Sequence, residues 1–276
     1  MTMYKTDVRR ERVSKAKRIV IKVGTSTITH ENGRFNLTNM ENLCRSIANL
    51  MNQGKEVILV SSGAIGVGVG KLRLPEKPKL IRDKQAVAAV GQSELMNMYS
   101  RILNDYNQIV AQILLTKDDI DEAVSRENVS NTFEALLEKQ ILPIVNENDT
   151  VSTREIYHNG TFGDNDTLSA MVAVLTGADL LIILTDIDGL YDSDPRSNHQ
   201  ASLIDHVAEI TDEIEQLAGG AGTVRGTGGM RSKILAARIA NVAGIDAVIA
   251  NGSKAHSIDA ILEQKAVGTL FSAKFA

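Results

Sequence analysis

The chain has 276 residues, 43% hydrophobic and 23% charged, a balance that suits a large buried core and excludes a disordered or low-complexity polypeptide. A net charge of −4 excludes the basic footprint of a protein whose main partner is nucleic acid. No apolar run reaches the about 18 residues of a membrane span, and the N-terminus is too polar for a secretion signal. Cys44 is the one cysteine, which excludes an internal disulfide and a thiolate metal cluster, so a cytoplasmic protein with no membrane partner is expected.

A basic stretch running from Arg9 to Arg18 comes first and reads as a solvated helix or tail. Residues 18–23 form an apolar run that predicts a short buried strand. Thr38 with Glu41 has the spacing of a capping box. Leu37, Met40, Leu43, Ile47, Leu50 and Met51 then recur at helical spacing up to Gly54, where a helix terminator belongs. A strand over 57–60 runs into Ser61-Ser62-Gly63-Ala64, small residues at a strand-to-helix turn. Helices are predicted over 85–106 and 128–139, with strands over 109–115 and 141–145, the latter leading into Asn146-Glu147-Asn148-Asp149. The polar stretch 150–163 lacks a helical period and reads as a hairpin projecting over the site as a lid. There follow a helix over 166–176, a strand over 180–184 ending in Thr185-Asp186, and a glycine-rich loop from Gly219 to Gly229. A helix over 231–243, a strand over 247–250, a helix over 256–262 and a strand over 268–271 complete the chain.

Strands alternating with helices, several of them continuous apolar runs, predict an α/β fold: a three-layer αβα sandwich with a mostly parallel central sheet. No linker or repeat divides the sequence, so one domain over 1–276 is expected. Polar and glycine residues cluster just after the strands, where ligands bind in open α/β sheets.

Two lysines stand beside glycine-bearing loops. Lys22 ends the first apolar run, directly before Val23-Gly24-Thr25-Ser26, and Lys233 lies in the first turn of the helix opened by Gly226-Thr227-Gly228-Gly229-Met230-Arg231-Ser232. A lysine in an apolar strand can simply snorkel from an edge. The adjoining glycine favours an anion instead, because it admits the backbone close to a phosphate, and a helix N-terminus adds N–H donors and a favourable dipole. Two cations over two such loops suit a transferring phosphoryl group. Neither loop has the G-x-x-x-x-G-K-[ST] pattern of a P-loop.

The remaining motifs are less specific. Gly63, Gly66, Gly68 and Gly70 fall at alternating positions, without G-x-G-x-x-G spacing, and predict close helix packing rather than a dinucleotide site. The run Asn146–Asp149 either caps the next segment or recognises an ammonium group, with Asp149 supplying the charge. In Gly163-Asp164-Asn165-Asp166 one residue caps a helix. A carboxylate there can orient both lysines by ion pairing or help hold Mg²⁺, and the spacing does not separate those roles. Thr185 and Asp186, at a strand end, are placed for nucleotide contacts or an ordinary turn. The five histidines show no metal-ligand spacing, and no metal ligand is assigned.

Together these segments resemble the amino acid kinase family over residues 18–271. The resemblance rests on Val20-Ile21-Lys22-Val23-Gly24-Thr25-Ser26, Val60-Ser61-Ser62-Gly63-Ala64-Ile65, Ala88-Ala89-Val90-Gly91-Gln92-Ser93, Val145 to Asp149, Phe162 to Asp166, Leu190-Tyr191 with Asp194-Pro195-Arg196, and Gly226 to Lys233. The Asn146–Asp149 and Gly163–Asp166 pair is similar to the glutamate kinase branch more than to the acetylglutamate, aspartate, carbamate and uridylate kinases. The resemblance implies ATP-dependent phosphorylation of the γ-carboxylate of L-glutamate, the first step of proline biosynthesis. It implies that Lys22 and Lys233 stabilise the transferring phosphoryl group and that Asp166 organises them. Ser62, Asp149 and Asn165 are implied to bind glutamate. Lys22, Gly24, Thr25, Thr185 and Asp186, with Thr227, Gly228, Gly229, Met230, Arg231, Ser232 and Lys233, are implied to line the ATP site. Mg²⁺ is expected through the ATP phosphates. Also implied are a homo-oligomer, feedback inhibition by L-proline, and a glutamyl phosphate reductase that receives the product.

Two departures from the family pattern stand out. Many members carry a C-terminal domain resembling the PUA module of RNA-modifying proteins, for which no room is expected here. Arg231-Ser232 also stands where a small residue and threonine are usual. Two other readings stay open: the same fold acting on another acceptor, and a non-catalytic sensor, against which the retention of both lysines argues.

Overall fold

The computed structural model describes residues 8–151, 165–218 and 229–273. Among the described residues eight strands, β1 (Arg18–Val23), β2 (Glu56–Ser61), β3 (Val110–Leu115), β4 (Leu142–Glu147), β5 (Leu180–Thr185), β6 (His206–Val207), β7 (Asp246–Asn251) and β8 (Thr269–Phe271), join in one sheet. Their order is β3-β4-β2-β1-β5-β7-β8-β6, and every neighbouring pair is parallel except β7 with β8. The chain leaves β1 toward β2 on one side and returns to β5 on the other. A crevice therefore opens at the carboxyl end of β1.

The helices are α1 (Val8–Ser14), α2 (Thr25–Ile28), α3 (Leu37–Asn52), α4 (Ala64–Leu72), α5 (Ile81–Asp105), α6 (Lys117–Asp121), α7 (Ala123–Glu138), α8 (Asn165–Leu175), α9 (Asp212–Leu217), α10 (Met230–Val242) and α11 (Ser257–Leu262). They cover both faces of the sheet, giving the αβα layering expected from the continuous apolar strands. Side chains alternate along β1. Ile19, Ile21 and Val23 pack with Met40 and Ile47 of α3, Leu95 and Tyr99 of α5, and Ile258 and Ile261 of α11. Val20 joins the opposite cluster with Phe133 of α7, Ala170 and Ala173 of α8, and Ala236 and Ala237 of α10. Lys22 is two residues from Val20, so the same alternation turns it toward α8 and α10.

Close approaches explain two of the alternating glycines, Gly68 against α5 and Gly70 against the turn at Gly33, while Gly63 and Gly66 face Thr25. A methyl group at Gly68 would strike the Val87 carbonyl, one at Gly91 the Ala64 carbonyl, and one at Gly70 the backbone of Gly33. The helix packing expected of these glycines is present at Gly68, whereas Gly63 serves as a left-handed cap at φ +106°.

Three sequence expectations are corrected. The Thr38–Glu41 capping box does not form, because the cap lies two residues earlier: Asn36 is the cap and accepts the Asn39 N–H at 3.2 Å. Asparagine before the first turn is the stronger cap, and Thr38 falls inside the helix. Strand β4 runs to Glu147, since Leu114 and Leu115 of β3 continue the ladder opposite Asn146 and Glu147. The basic N-terminal stretch is not merely solvated. Arg10 is buried and donates to the carbonyl oxygens of Lys265 at 2.8 Å and Asp205 at 3.2 Å. Arg12 grips both carboxylate oxygens of the buried Asp246. Arg18 reaches Glu56 at 2.6 Å and Glu134 at 2.5 Å. Positions 152–163 of the expected lid and 219–228 of the glycine loop lie outside the described residues. No described helix is long and apolar enough to cross a membrane.

Replacing Gly91 with alanine is expected to lower stability by about 3 kcal/mol through overpacking. Gly54→Ala, in open space with φ +80°, should cost only about 1 kcal/mol of left-handed backbone strain. Urea unfolding of the two variants checks the order, and equal losses would refute the close α4–α5 contact.

Candidate active site

Three elements converge on the crevice. β1 delivers Lys22, opposite Val60 of β2 and Ile183 of β5. Helix α8 carries Asp166 in its first turn, where the helix dipole favours an anion. Helix α10 starts after Gly229, which contributes no capping side chain, and carries Ser232 and Lys233 in its first turn. Small residues on the facing sides, among them Ala170, Ala173, Ala236 and Ala237, let α8 and α10 lie close together and bring their N-termini to one place.

There one carboxylate holds two ammonium groups. Lys22 Nζ lies 2.6 Å from Asp166 Oδ1, and Lys233 Nζ lies 3.0 Å from Asp166 Oδ2. Ser232 Oγ donates to the same Oδ2 at 2.7 Å and contacts the Gly229 carbonyl at 2.8 Å. Asp166 is 0% exposed, Lys22 5% and Lys233 7%. Burial alone pushes the Asp166 carboxyl up, but the charges of Lys22 and Lys233 and the hydrogen bonds from Lys22 and Ser232 outweigh it. The group is held below the usual carboxylate range. Two ammonium groups gathered on one buried carboxylate suit the binding of a phosphate.

The other predicted residues surround this cluster unevenly. Gly24 is extended, at φ −84° and ψ 159°, and an added Cβ would stand 3.7 Å from Lys22 Nζ. Its bare backbone thus borders the ammonium group. Thr25 opens α2 beside Gly63 and Gly66. The Ser62 N–H donates to the Val23 carbonyl at 3.1 Å, which ties the turn after β2 to the turn after β1. Asn165 opens α8, and its buried Oδ1 has no hydrogen-bond partner among the described residues. Asp149 lies half-buried in the turn after β4. Thr185 is buried at the end of β5, its hydroxyl 3.1 Å from the exposed Asp186. Met230 packs against the core while Arg231 is exposed. Thr227 and Gly228 lie outside the described residues.

Two contacts were not anticipated from sequence. Asn146 Nδ2 donates to Gln92 Oε1 at 2.8 Å in the interior. Asp188, after β5, accepts from Asn251 Nδ2 at 2.9 Å and pairs with Lys254 at 2.7 Å, which with Asn251 holds its carboxyl low. A signal for the first existed: Val87, Ala88, Gly91, Gln92, Leu95 and Tyr99 form the buried stripe of α5, with one amide among apolar residues. Among the described residues no group of three or more His, Cys, Asp or Glu side chains is placed to hold a metal ion.

Residues 17–251 match the model of the amino acid kinase family. A relative from Clostridium perfringens named glutamate 5-kinase is 56% identical over 265 residues, covering 96% of this chain and 98% of the relative. Relatives of the same name from Clostridium acetobutylicum and Listeria innocua are 55% and 52% identical, covering 97% and 96% of this chain and 99% and 96% of the relatives. Among solved structures, UMP kinase from Bacillus anthracis aligns with a TM-score of 0.63 at 17% identity, over 94% of this chain and 97% of that one. An isopentenyl phosphate kinase aligns with a TM-score of 0.62 at 16% identity, over 92% of this chain and 100% of that one. At such identities the structural likeness speaks for the shared fold.

Asp166→Asn removes the charge that two buried lysines share and is expected to cost about 3–5 kcal/mol at neutral pH. Because the folded carboxyl is depressed, its contribution is complete above about pH 4 and fades as pH falls toward the folded value. The difference between the wild-type and variant proteins in urea unfolding should therefore be constant from pH 7 to 5 and shrink below that. A difference that grows in acid would contradict an ionised Asp166.

Proposed function

We propose that this chain, which belongs to the amino acid kinase family, transfers the γ-phosphoryl group of ATP to the γ-carboxylate of L-glutamate, the first step of proline biosynthesis. The observation that carries the chemistry is the buried Lys22–Asp166–Lys233 cluster between two helix N-termini. A γ-carboxylate is ionised at neutral pH, so it attacks without a general base. One of its oxygens bonds to Pγ as the Pγ–O bond to ADP breaks, and no proton moves. The difficulty is bringing two anions together, and Lys22 and Lys233 offset that repulsion and the charge of the transferring group. Asp166 keeps both ammonium groups aimed at it, with Ser232 fixing the carboxylate.

In this reading Gly24 and Thr25 donate backbone N–H groups to the γ-phosphate. Ser62, Asp149 and Asn165 bind glutamate, and the open Asn165 Oδ1 matches an ammonium or N–H donor. Thr185 and Asp186, with Thr227, Gly228, Gly229, Met230, Arg231 and the first turn of α10, line the nucleotide. Asp166, already engaged by two lysines, is a poor ligand for Mg²⁺, which then arrives on the ATP phosphates and supplies further charge neutralisation there. The product is a labile acyl phosphate, so a cytoplasmic reductase acting on glutamyl phosphate is the expected recipient. A homo-oligomer and inhibition by L-proline belong to the same proposal.

Incubation with Mg-ATP, L-glutamate and hydroxylamine should release ADP and trap the acyl phosphate as the hydroxamate. N-acetylglutamate, aspartate, carbamate and UMP should give neither, and turnover with one of these alone would overturn the acceptor. Lys22→Ala and Lys233→Ala are each expected to lower kcat by about a hundredfold or more with the fold retained. Near-normal kcat would remove that lysine from the reaction.

A further inference from the structure

The turn that carries Ser62 is held from inside the core by two hydroxyl groups. Ser61, the last residue of β2, and Tyr99 of α5 are both 0% exposed, and their side-chain oxygens lie 2.9 Å apart. Ser61 Oγ also donates to the Ser62 carbonyl at 3.3 Å. A serine hydroxyl has one proton, so the hydrogen between the two side chains comes from Tyr99. The reverse order would leave a buried phenol proton without an acceptor among the described residues, which is costly. Burial pushes the Tyr99 hydroxyl above its ordinary range, so it keeps that proton. A directed relay thus runs from Tyr99 through Ser61 to the main chain of Ser62.

Both backbone polar groups of Ser62 are engaged. Its N–H donates to the Val23 carbonyl at 3.1 Å, and its carbonyl accepts from Ser61. Gly63 follows at φ +106° and faces Thr25. Ser62 is therefore pinned on one side by the turn after β1 and on the other by the core. The direction of its side chain follows from the backbone so fixed. Tyr99 otherwise packs in the apolar cluster with Ile21, Leu59 and Leu95, where a phenylalanine ring would fill the same space. What its hydroxyl adds is the bond to Ser61. A fully paired polar group in an apolar core rigidifies what it touches. We infer that Tyr99 is a positioning residue for the acceptor site: through Ser61 it fixes the backbone of Ser62, and with it the aim of the Ser62 hydroxyl. This rests on the function proposed above, in which Ser62 binds glutamate.

Tyr99→Phe keeps the ring and removes the donor that starts the relay. It is expected to raise the KM for L-glutamate about fivefold or more, with the KM for ATP within about twofold. Ser61→Ala should do the same. Combining the two changes should raise the glutamate KM no further than either alone, because the relay acts as one unit. The double variant should also recover the thermal midpoint lost by Ser61→Ala, since no buried hydroxyl is then left unpaired, while its glutamate KM stays high. A merely structural pair would lower the midpoint and leave both KM values unchanged, and that result would overturn the inference. So would an equal rise in the two KM values, or a double variant in which the single effects on the glutamate KM multiply. Absence of hydroxamate from glutamate with the wild-type protein would instead overturn the function on which it rests.

Discussion

A single carboxylate shared by two lysines is the interaction on which the rest of the site depends. Asp166 holds both ammonium groups in surroundings where charges act strongly. Taking three charged groups out of water is expensive. The dipole of α8 helps, since it favours an anion at Asp166. The dipole of α10 does the opposite, because it places Lys233 at the positive end of a helix. That local conflict is tolerated only because Asp166 stands opposite. Breaking a local rule is expected where function outranks stability.

The scaffold makes this possible through small residues on both faces of the sheet. On one face, alanines let α8 and α10 approach until their first turns meet over Lys22. On the other, glycines let α4 and α5 touch backbone to backbone. The two helix pairs set the positions of different ends of one crevice. At Gly68 and Gly91 added volume would meet main chain, the Val87 and Ala64 carbonyls, and not a flexible side chain.

Much of this was legible in the sequence, and the rest was not for definite reasons. Continuous apolar strands implied a sheet covered on both faces, and Lys22 and Lys233 stood out because each adjoins glycine. What periodicity could not supply was long-range pairing. Asp166 was open between binding lysines and binding metal until the geometry placed both Nζ atoms on its oxygens. Arg10 and Arg12 read as a solvated charge run because their acceptors, the Lys265 carbonyl and Asp246, are remote in sequence. Local capping failed more narrowly: Asn36, Thr38 and Asn39 are all capping residues, and which one acts depends on where the preceding bridge between Thr29 and Phe35 releases the chain.

The same arginines bear on how the protein is made. Helix α1 is synthesised well before its anchors, since Asp246 and the Lys265 carbonyl lie 234 and 255 residues later. Seven residues are too few to persist as an isolated helix. Until those anchors are made nothing holds this segment as a helix, and β1 behind it waits for β5 to complete its second edge. Docking of α1 is then a late event, a clasp closed only after the far edge of the sheet exists, and the open interval is when the nascent chain is most exposed to proteolysis and mispairing.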